Sequence, residues 1–308
     1  WRAGSIGTGM YYVIPRFEPK IMLVEKGYTD NGVWSVEDYL ALAEKYPEGK
    51  LSDSLMAKNP YSLFILDLGM AVESYIDWEN ESCSFDSQEF ITLLEKLNYH
   101  AKKAYVGEYK TLAEQMYHKE LLTNVVSLKW MYHMTEYRDL RDSMLAFCEI
   151  AGIPNGDGQL RYSMTYNENY GINSASDKKE MAWSFLGYLI SEDYQGQLMD
   201  IWNGGDAMFP VRRDVLENSL LAEVEGEIED YFYKNTYTGE RVQLTSDFTE
   251  EDVQVILDIV ENCYYEYAIG GELSQILTDE IVYYFKGDKS AKDVAEVIQN
   301  RVLLYLEE

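Results

Sequence analysis

A helix-rich α/β layered fold is what this chain of 308 residues predicts, and three observations predict it. Short apolar runs of strand character are scattered among helix signals, which favours helices layered on a sheet over a helical bundle. Helix starts repeat one device, a small polar or acidic cap with an acidic residue three positions on, each followed by apolar residues at helical spacing. No internal repeat, low-complexity tract or flexible spacer divides the chain, a pattern that suits domains joined by crossover strands.

The elements follow in order. Residues 11–14 and 21–24 read as strands. Ser35 with Asp38 opens a helix, Asn59 before Pro60 opens another because proline suits the first helical position, and Asp86 with Glu89 opens a third. Residues 121–128 and 162–166 are the remaining strand candidates, and Asn155-Gly156-Asp157-Gly158 between them is a turn. Asp177 with Glu180 predicts a capped helix whose Met181, Ala182, Phe185, Leu186 and Leu189 share one core-facing side. Asn203-Gly204-Gly205-Asp206 forms a loop before Phe209-Pro210. Thr249 with Asp252 opens a helix striped by Val253, Ile256, Leu257, Val260 and Tyr264. Ser290 with Asp293 opens the last, striped by Ala291, Val294, Ala295, Ile298, Val302 and Tyr305. Both stripes need a shared core.

Composition narrows the function classes. The chain has 54 acidic against 26 basic residues, a net charge of -28, and so lacks the basic stripe that a nucleic-acid partner requires. With 46% hydrophobic residues it can bury a sizeable core, while no apolar run approaches the roughly 18 residues of a membrane span. Cys83, Cys148 and Cys263 are odd in number and far apart, which signals neither a zinc site nor a disulfide framework. His100, His118 and His133 lack metalloprotease spacing. The acidic loop at residues 77–81 begins like a calcium loop, but Ser82 stands at the obligatory glycine and Gln88 at the closing glutamate. Gly4, Gly7 and Gly9 do not form a nucleotide-binding fingerprint, and a G-x-S-x-G nucleophile elbow is absent. No cofactor is expected. Carboxylate pairs abound, so a glycosidase or lyase stays open as the alternative function.

Aromatic side chains point elsewhere. There are 27 tyrosines and six tryptophans, and such rings offer an apolar face to the C–H side of a sugar and a polar tip to its hydroxyls.

Residues 171–195, GINSASDKKEMAWSFLGYLISEDYQ, are similar to a segment of the extracellular solute-binding proteins of family 1, the maltose-binding-protein-like group that serves ABC importers of sugars. The likeness continues in order through GMYYVIP (9–15), VWSVEDYLALAEKYPEG (33–49), YIDWENESCSFDSQEFITLLEKL (75–97), GIPNGDG (152–158), FPVRRDVLE (209–217) and KGDKSAKDVAEVIQNRVLLYLEE (286–308). The resemblance implies a type II periplasmic-binding-protein fold of two lobes, with lobe one incomplete because its opening βα units would precede Trp1. It implies that residues 1–15 end lobe one and make the first crossing. Residues 16–166 begin lobe two, 167–211 return to lobe one, and 212–308 complete lobe two. Tyr61 and Trp130 resemble the family's sugar-stacking aromatics in place, whereas Ser274 stands where a third would be. Trp202 and Phe209, bracketing the glycine-rich loop, and Arg161 and Tyr166, on the strand entering a crossing, are further ligand-binding candidates; capping the core at the hinge is the alternative role for Trp202 and Phe209. The implied partners are a carbohydrate and the permease subunits of an ABC importer. The implied setting is the bacterial cell surface, as a monomer held by an N-terminal lipid anchor outside this chain. A lobe that feeds a sensor instead of a transporter fits the same residues.

Stacking by Tyr61 predicts that Tyr61→Ala weakens sugar binding by about 1 kcal/mol or more and leaves the melting temperature nearly unchanged. Calorimetry that returns equal affinities removes Tyr61 from the site.

Overall fold

The computed structural model describes residues 5–6, 9–45, 73–101, 111–118, 123–129, 134–155, 158–200, 208–226, 232–235, 237–243, 247–265 and 271–307. Its strands are β1 (Ser5–Ile6), β2 (Gly9–Met10), β3 (Arg16–Glu25), β4 (Ile76–Asp77), β5 (Ser82–Cys83), β6 (Thr123–Ser127), β7 (Cys148–Ala151), β8 (Tyr162–Thr165), β9 (Phe209–Pro210), β10 (Phe232–Lys234), β11 (Arg241–Gln243) and β12 (Cys263–Tyr265). Its helices are α1 (Val36–Lys45), α2 (Gln88–Ala101), α3 (Leu112–Tyr117), α4 (Thr135–Ser143), α5 (Lys179–Leu189), α6 (Glu192–Asp200), α7 (Arg213–Glu225), α8 (Glu250–Glu261), α9 (Gly271–Lys286) and α10 (Ala291–Leu306). The helix pair Asn59-Pro60 and the loop at residues 203–206 lie outside the described residues.

Among the described residues, β3 is the axis of a mixed six-stranded sheet. It runs antiparallel to β6, β7, β8 and β9, and β12 joins β8 in parallel. Alternate residues of a strand point to opposite faces, and Ile21-Met22-Leu23-Val24 uses this to supply two cores. Met22 and Val24 enter a core with Trp34, Phe90 of α2, Leu277 of α9 and Ile298 of α10. Ile21 and Leu23 enter the other, with Leu140 of α4, Leu216 of α7 and Ile256 of α8. All four residues are 0% exposed. The result is a helix–sheet–helix sandwich, the layering that an unbroken apolar strand requires.

The helix starts follow the capping chemistry with two shifts. Ser35, Thr249 and Ser290 each accept from the backbone N–H three residues on, and the carboxylates of Asp38, Asp252 and Asp293 accept in return from the cap residues. α2, however, is capped by Ser87, whose hydroxyl accepts from the Phe90 N–H at 3.3 Å, so the cap falls one residue beyond Asp86. α5 has no side-chain cap, because Lys178 occupies the cap position in place of Asp177. α8 ends at Glu261, where the Asn262 amide donates to the Asp258 carbonyl at 2.9 Å, and Tyr264 therefore lies in β12 and not on the helical stripe.

Residues 11–14 form no strand. Among the described residues only Val13 pairs, through one bridge to Tyr170. β6 and β8 each end one residue before the segments expected, at Ser127 and Thr165, residues 121–122 lying outside the described residues, and β7, where Glu149 interrupts the apolar pattern, is an addition.

α5 departs furthest from expectation. Leu186 and Leu189 are buried with Val13, against Tyr170, Ile172 and Tyr194, in a small cluster separate from both cores. Met181 is 70% and Phe185 51% exposed, and Trp183 and Tyr188 are exposed as well. The apolar residues encircle most of this helix, and the chain described around it covers only the Leu186–Leu189 side.

Long-range side-chain bonds close the fold around α10. The Gln299 amide accepts from the Phe85 N–H at 2.6 Å and donates to the Cys83 carbonyl at 2.8 Å, which ties α10 to the β4–β5 hairpin. Glu280 of α9 accepts from Lys289 at 2.9 Å and Arg301 at 3.1 Å. Among the described residues, no helix is long and apolar enough to cross a membrane. Leu23→Ala is expected to cost about 2–5 kcal/mol in urea unfolding, as a fully buried leucine between helix and sheet does, against about 1 kcal/mol for loss of the Ser290 cap in Ser290→Ala.

Candidate functional site

The strand directions single out one end of the sheet. β6 and β8 run against β3, and β12 runs with β8, so the carboxyl ends of all three reach the start of β3. Lys20 of β3 marks the place: it pairs with Ser127 at the end of β6 and with Ser163 within β8. In open α/β sheets, ligands bind outside the carboxyl ends of the strands, where loops and chain crossings gather.

Among the described residues, three of the stretches that leave the sheet at this end, near residues 13–16, 166–170 and 209–212, are bonded to one another. Val13 and Tyr170 exchange two backbone hydrogen bonds of 2.9 Å, joining the first to the second. The Arg16 guanidinium donates to Glu168 at 2.7 Å, and the Tyr170 hydroxyl donates to the same carboxylate at 3.2 Å. β9 pairs with the start of β3, Arg16 opposite Pro210 and Phe17 opposite Phe209, joining the first to the third. The buried Gln195 of α6 bonds to Pro15 and to the Val211 and Arg212 backbone.

A second polar group borders the same end. Glu136, in the first turn of α4, accepts from the Lys129 N–H at 3.1 Å, and Lys129 follows directly on the stretch where the Leu128 N–H donates to Pro19. Burial pushes the Glu136 carboxyl up to about 7; Lys129 and its backbone bond pull it down, while Glu18 and Asp139 push it further up. The cysteines show the same desolvation. Burial pushes the Cys148 thiol up to about 12 and raises Cys263 too, so both remain protonated packing groups at neutral pH instead of activated nucleophiles. Among the described residues, no group of three or more His, Cys, Asp or Glu side chains could hold a metal ion.

The structure separates the residues singled out from the sequence. Tyr166 is half-buried at the carboxyl end of β8, where its hydroxyl accepts from Asn169 at a long 3.5 Å. Arg161 sits at the other end of that strand, roughly 16 Å away by strand rise, with its guanidinium 4.1 Å from the Tyr264 ring centre. Arg161 and Tyr166 therefore do not share a site at the crossing. Phe209 is 0% exposed, with its ring 6.2 Å from that of Phe17, and so packs the core beneath the crossing with no face left for a ligand. Tyr61, Trp130 and Trp202 lie outside the described residues. Glu136, Arg16, Glu168 and Gln195 were not legible beforehand, because the contacts that place them at this end, Glu136 with Lys129, Arg16 with Glu168 and Gln195 with Pro15, span 7, 152 and 180 positions of the chain.

The architecture is the type II periplasmic-binding-protein fold. No family model matches the chain, and no curated protein does. Solved structures do. One is an ABC transporter solute-binding protein from Thermotoga lettingae TMO bound with alpha-D-tagatose, similar at TM-score 0.54 and 14% identity over 99% of this chain and 75% of that one. Another is maltose-bound MalE3 of T. maritima, at TM-score 0.54 and 15% identity over 98% of this chain and 74% of its own. A third is the sugar-binding protein MalE of Xanthomonas citri, at TM-score 0.55 and 13% identity over 99% of this chain and 72% of its own.

Glu136 predicts a pH effect. Its folded pKa lies above the ordinary glutamate value, so its favourable contribution is complete below about pH 4.3 and is lost as pH rises through about 7. Glu136→Gln keeps the acceptor and abolishes the titration. The variant should gain on the parent by on the order of 2–3 kcal/mol between pH 4.5 and pH 8, as read from urea midpoints at both values; a constant difference refutes the assignment.

Proposed function

We propose that this chain is a carbohydrate-binding protein that captures a sugar between two lobes by hinge closure, without covalent chemistry, and presents it to the permease subunits of an ABC importer. The observation that carries this reading is the convergence of three strand carboxyl ends on three interlinked crossings, in a fold whose solved relatives include proteins bound with tagatose, maltose and cycloalternan. Crossings of this kind let two bodies rotate while the sheet stays intact, and ligand contacts from both sides then favour the closed form.

In this reading residues 16–166 and 212–308 build lobe two, while residues 1–15 and 167–211 belong to lobe one. The pairing of β12 with β8 supports the first grouping, and the separate Val13–Leu186–Leu189 cluster supports the second. Tyr61, Trp130, Trp202 and Tyr166 are the proposed ligand contacts, with Tyr166 at the mouth of the sheet. The protein would act outside the bacterial cell as a monomer, held at the surface by a lipid.

Thermal-shift and calorimetric titration with maltotriose, cycloalternan, tagatose and ribitol tests the reading. At least one sugar should raise the melting temperature, by an amount matching ~2.7 kcal/mol at a hundred-fold excess over Kd, and be recovered unchanged. Silence across these and a wider glycan panel, or consumption of the sugar, overturns it.

A further inference from the structure

Gln195 is 0% exposed, yet its side-chain amide is fully used. The Nε2 group donates to the Pro15 and Leu189 carbonyls, both at 2.8 Å. The Oε1 atom accepts from the Val211 N–H at 2.8 Å and the Arg212 N–H at 3.3 Å. A primary amide has two donors and two acceptor sites, so this one is saturated. Its orientation is dictated, because backbone carbonyls only accept and backbone N–H groups only donate.

The partners come from separate segments. Pro15 belongs to the first crossing, Leu189 ends α5, and Val211 and Arg212 belong to the third crossing, while Gln195 itself rides on α6. The ladder between β3 and β9 stops at Arg16 opposite Pro210. One step beyond, proline has no N–H to continue it, and the Gln195 amide takes over the link. Such a buried polar group is held firmly when every bond is made and is costly when half are lost.

We infer that Gln195 is the pin of the hinge: a positioning residue that holds the first and third crossings in register and thereby sets the orientation in which the two lobes meet a ligand. The inference rests on the two-lobed reading above. Gln195 need not touch the sugar.

Two variants of the full chain separate this role from plain core packing. Gln195→Leu removes all four bonds. Gln195→Glu keeps the acceptor half at pH 8 but turns a carboxylate toward two carbonyls. That contact raises the pKa of the new carboxyl, so the defect is present at high pH and is relieved as pH falls and the acid becomes a donor again. Hydrogen exchange of Gln195→Leu should speed the Val211 and Arg212 amides about ten-fold or more, with the amides of residues 21–24 changed less than about two-fold. Gln195→Glu should keep the Val211 and Arg212 amides protected. It should differ from the parent in solution-scattering radius at pH 8 and match the parent at pH 4.5. Its affinity for whichever of the four sugars binds the parent should be about ten-fold weaker at pH 8, with recovery at pH 4.5.

Parental exchange at Val211 and Arg212 in Gln195→Leu overturns the inference. So does equal acceleration of those amides and of residues 21–24, which marks a general loss of stability, or a Gln195→Glu protein identical to the parent in scattering at pH 8. Should Gln195→Leu fail to fold, the pH reversal in Gln195→Glu decides alone. Exchange and scattering need no ligand, so a parent that binds none of the sugars sinks the transport reading without touching this test.

Discussion

The double burial of β3 is the constraint on which the rest of the structure depends. Four consecutive apolar residues alternate between two cores, so neither face of the sheet can be left to water. Helices from both ends of the chain are therefore drawn to the same strand. α1, α2, α9 and α10 cover one side, and α4, α7 and α8 the other. A slip of one residue in the pairing of β3 would exchange the contents of the two cores, and the register with β6 and β7 holds that slip in check across residues 20–25.

Those cores bear most of the stability, because the surface contributes little. The chain carries a net charge of -28, and ion pairs such as Arg213 with Glu261 or Lys292 with Glu296 are exposed, where screening leaves each worth little. The ionic contacts that matter lie deeper. Arg141 binds the Asp252 carboxylate that also caps α8, so one acidic group secures a helix start and docks it on α4. Asn235 likewise donates to Asp139 and Ser143 while its carbonyl oxygen accepts from the Tyr237 and Thr238 N–H groups, holding the turn between β10 and β11 against α4.

The end of the sheet where the chain crosses has a different character. Its contacts are polar, local in space and distant in sequence: backbone pairs at Val13 and Tyr170, a carboxylate shared by Arg16 and Tyr170, and an amide that serves three segments. Hydrogen bonds of this sort fix direction while burying little apolar area. A few such bonds therefore hold the crossings in register where there is little apolar packing to do so.

Local chemistry was legible in the residues themselves. The capping pairs at Ser35, Thr249 and Ser290, the strand at residues 21–24 and the apolar stripes of α8 and α10 depend on neighbours within a turn or two, so spacing alone determined them. The ordered likeness along the chain pointed to the two-lobed fold. Tertiary structure decided the rest, because the deciding partners were remote. Ser87 displaced Asp86 as a cap, and β7 formed only because β3 offered it an edge. Phe209 became core by pairing with Phe17, Arg161 was carried to the far end of β8 by the direction of that strand, and among the described residues half the apolar face of α5 is left exposed. Gln195 shows the reason most clearly: a glutamine on a polar helix looks like any solvated residue until 180 positions of intervening chain bring Pro15 against it, and burial, unlike capping, is a property that no short stretch of sequence possesses on its own.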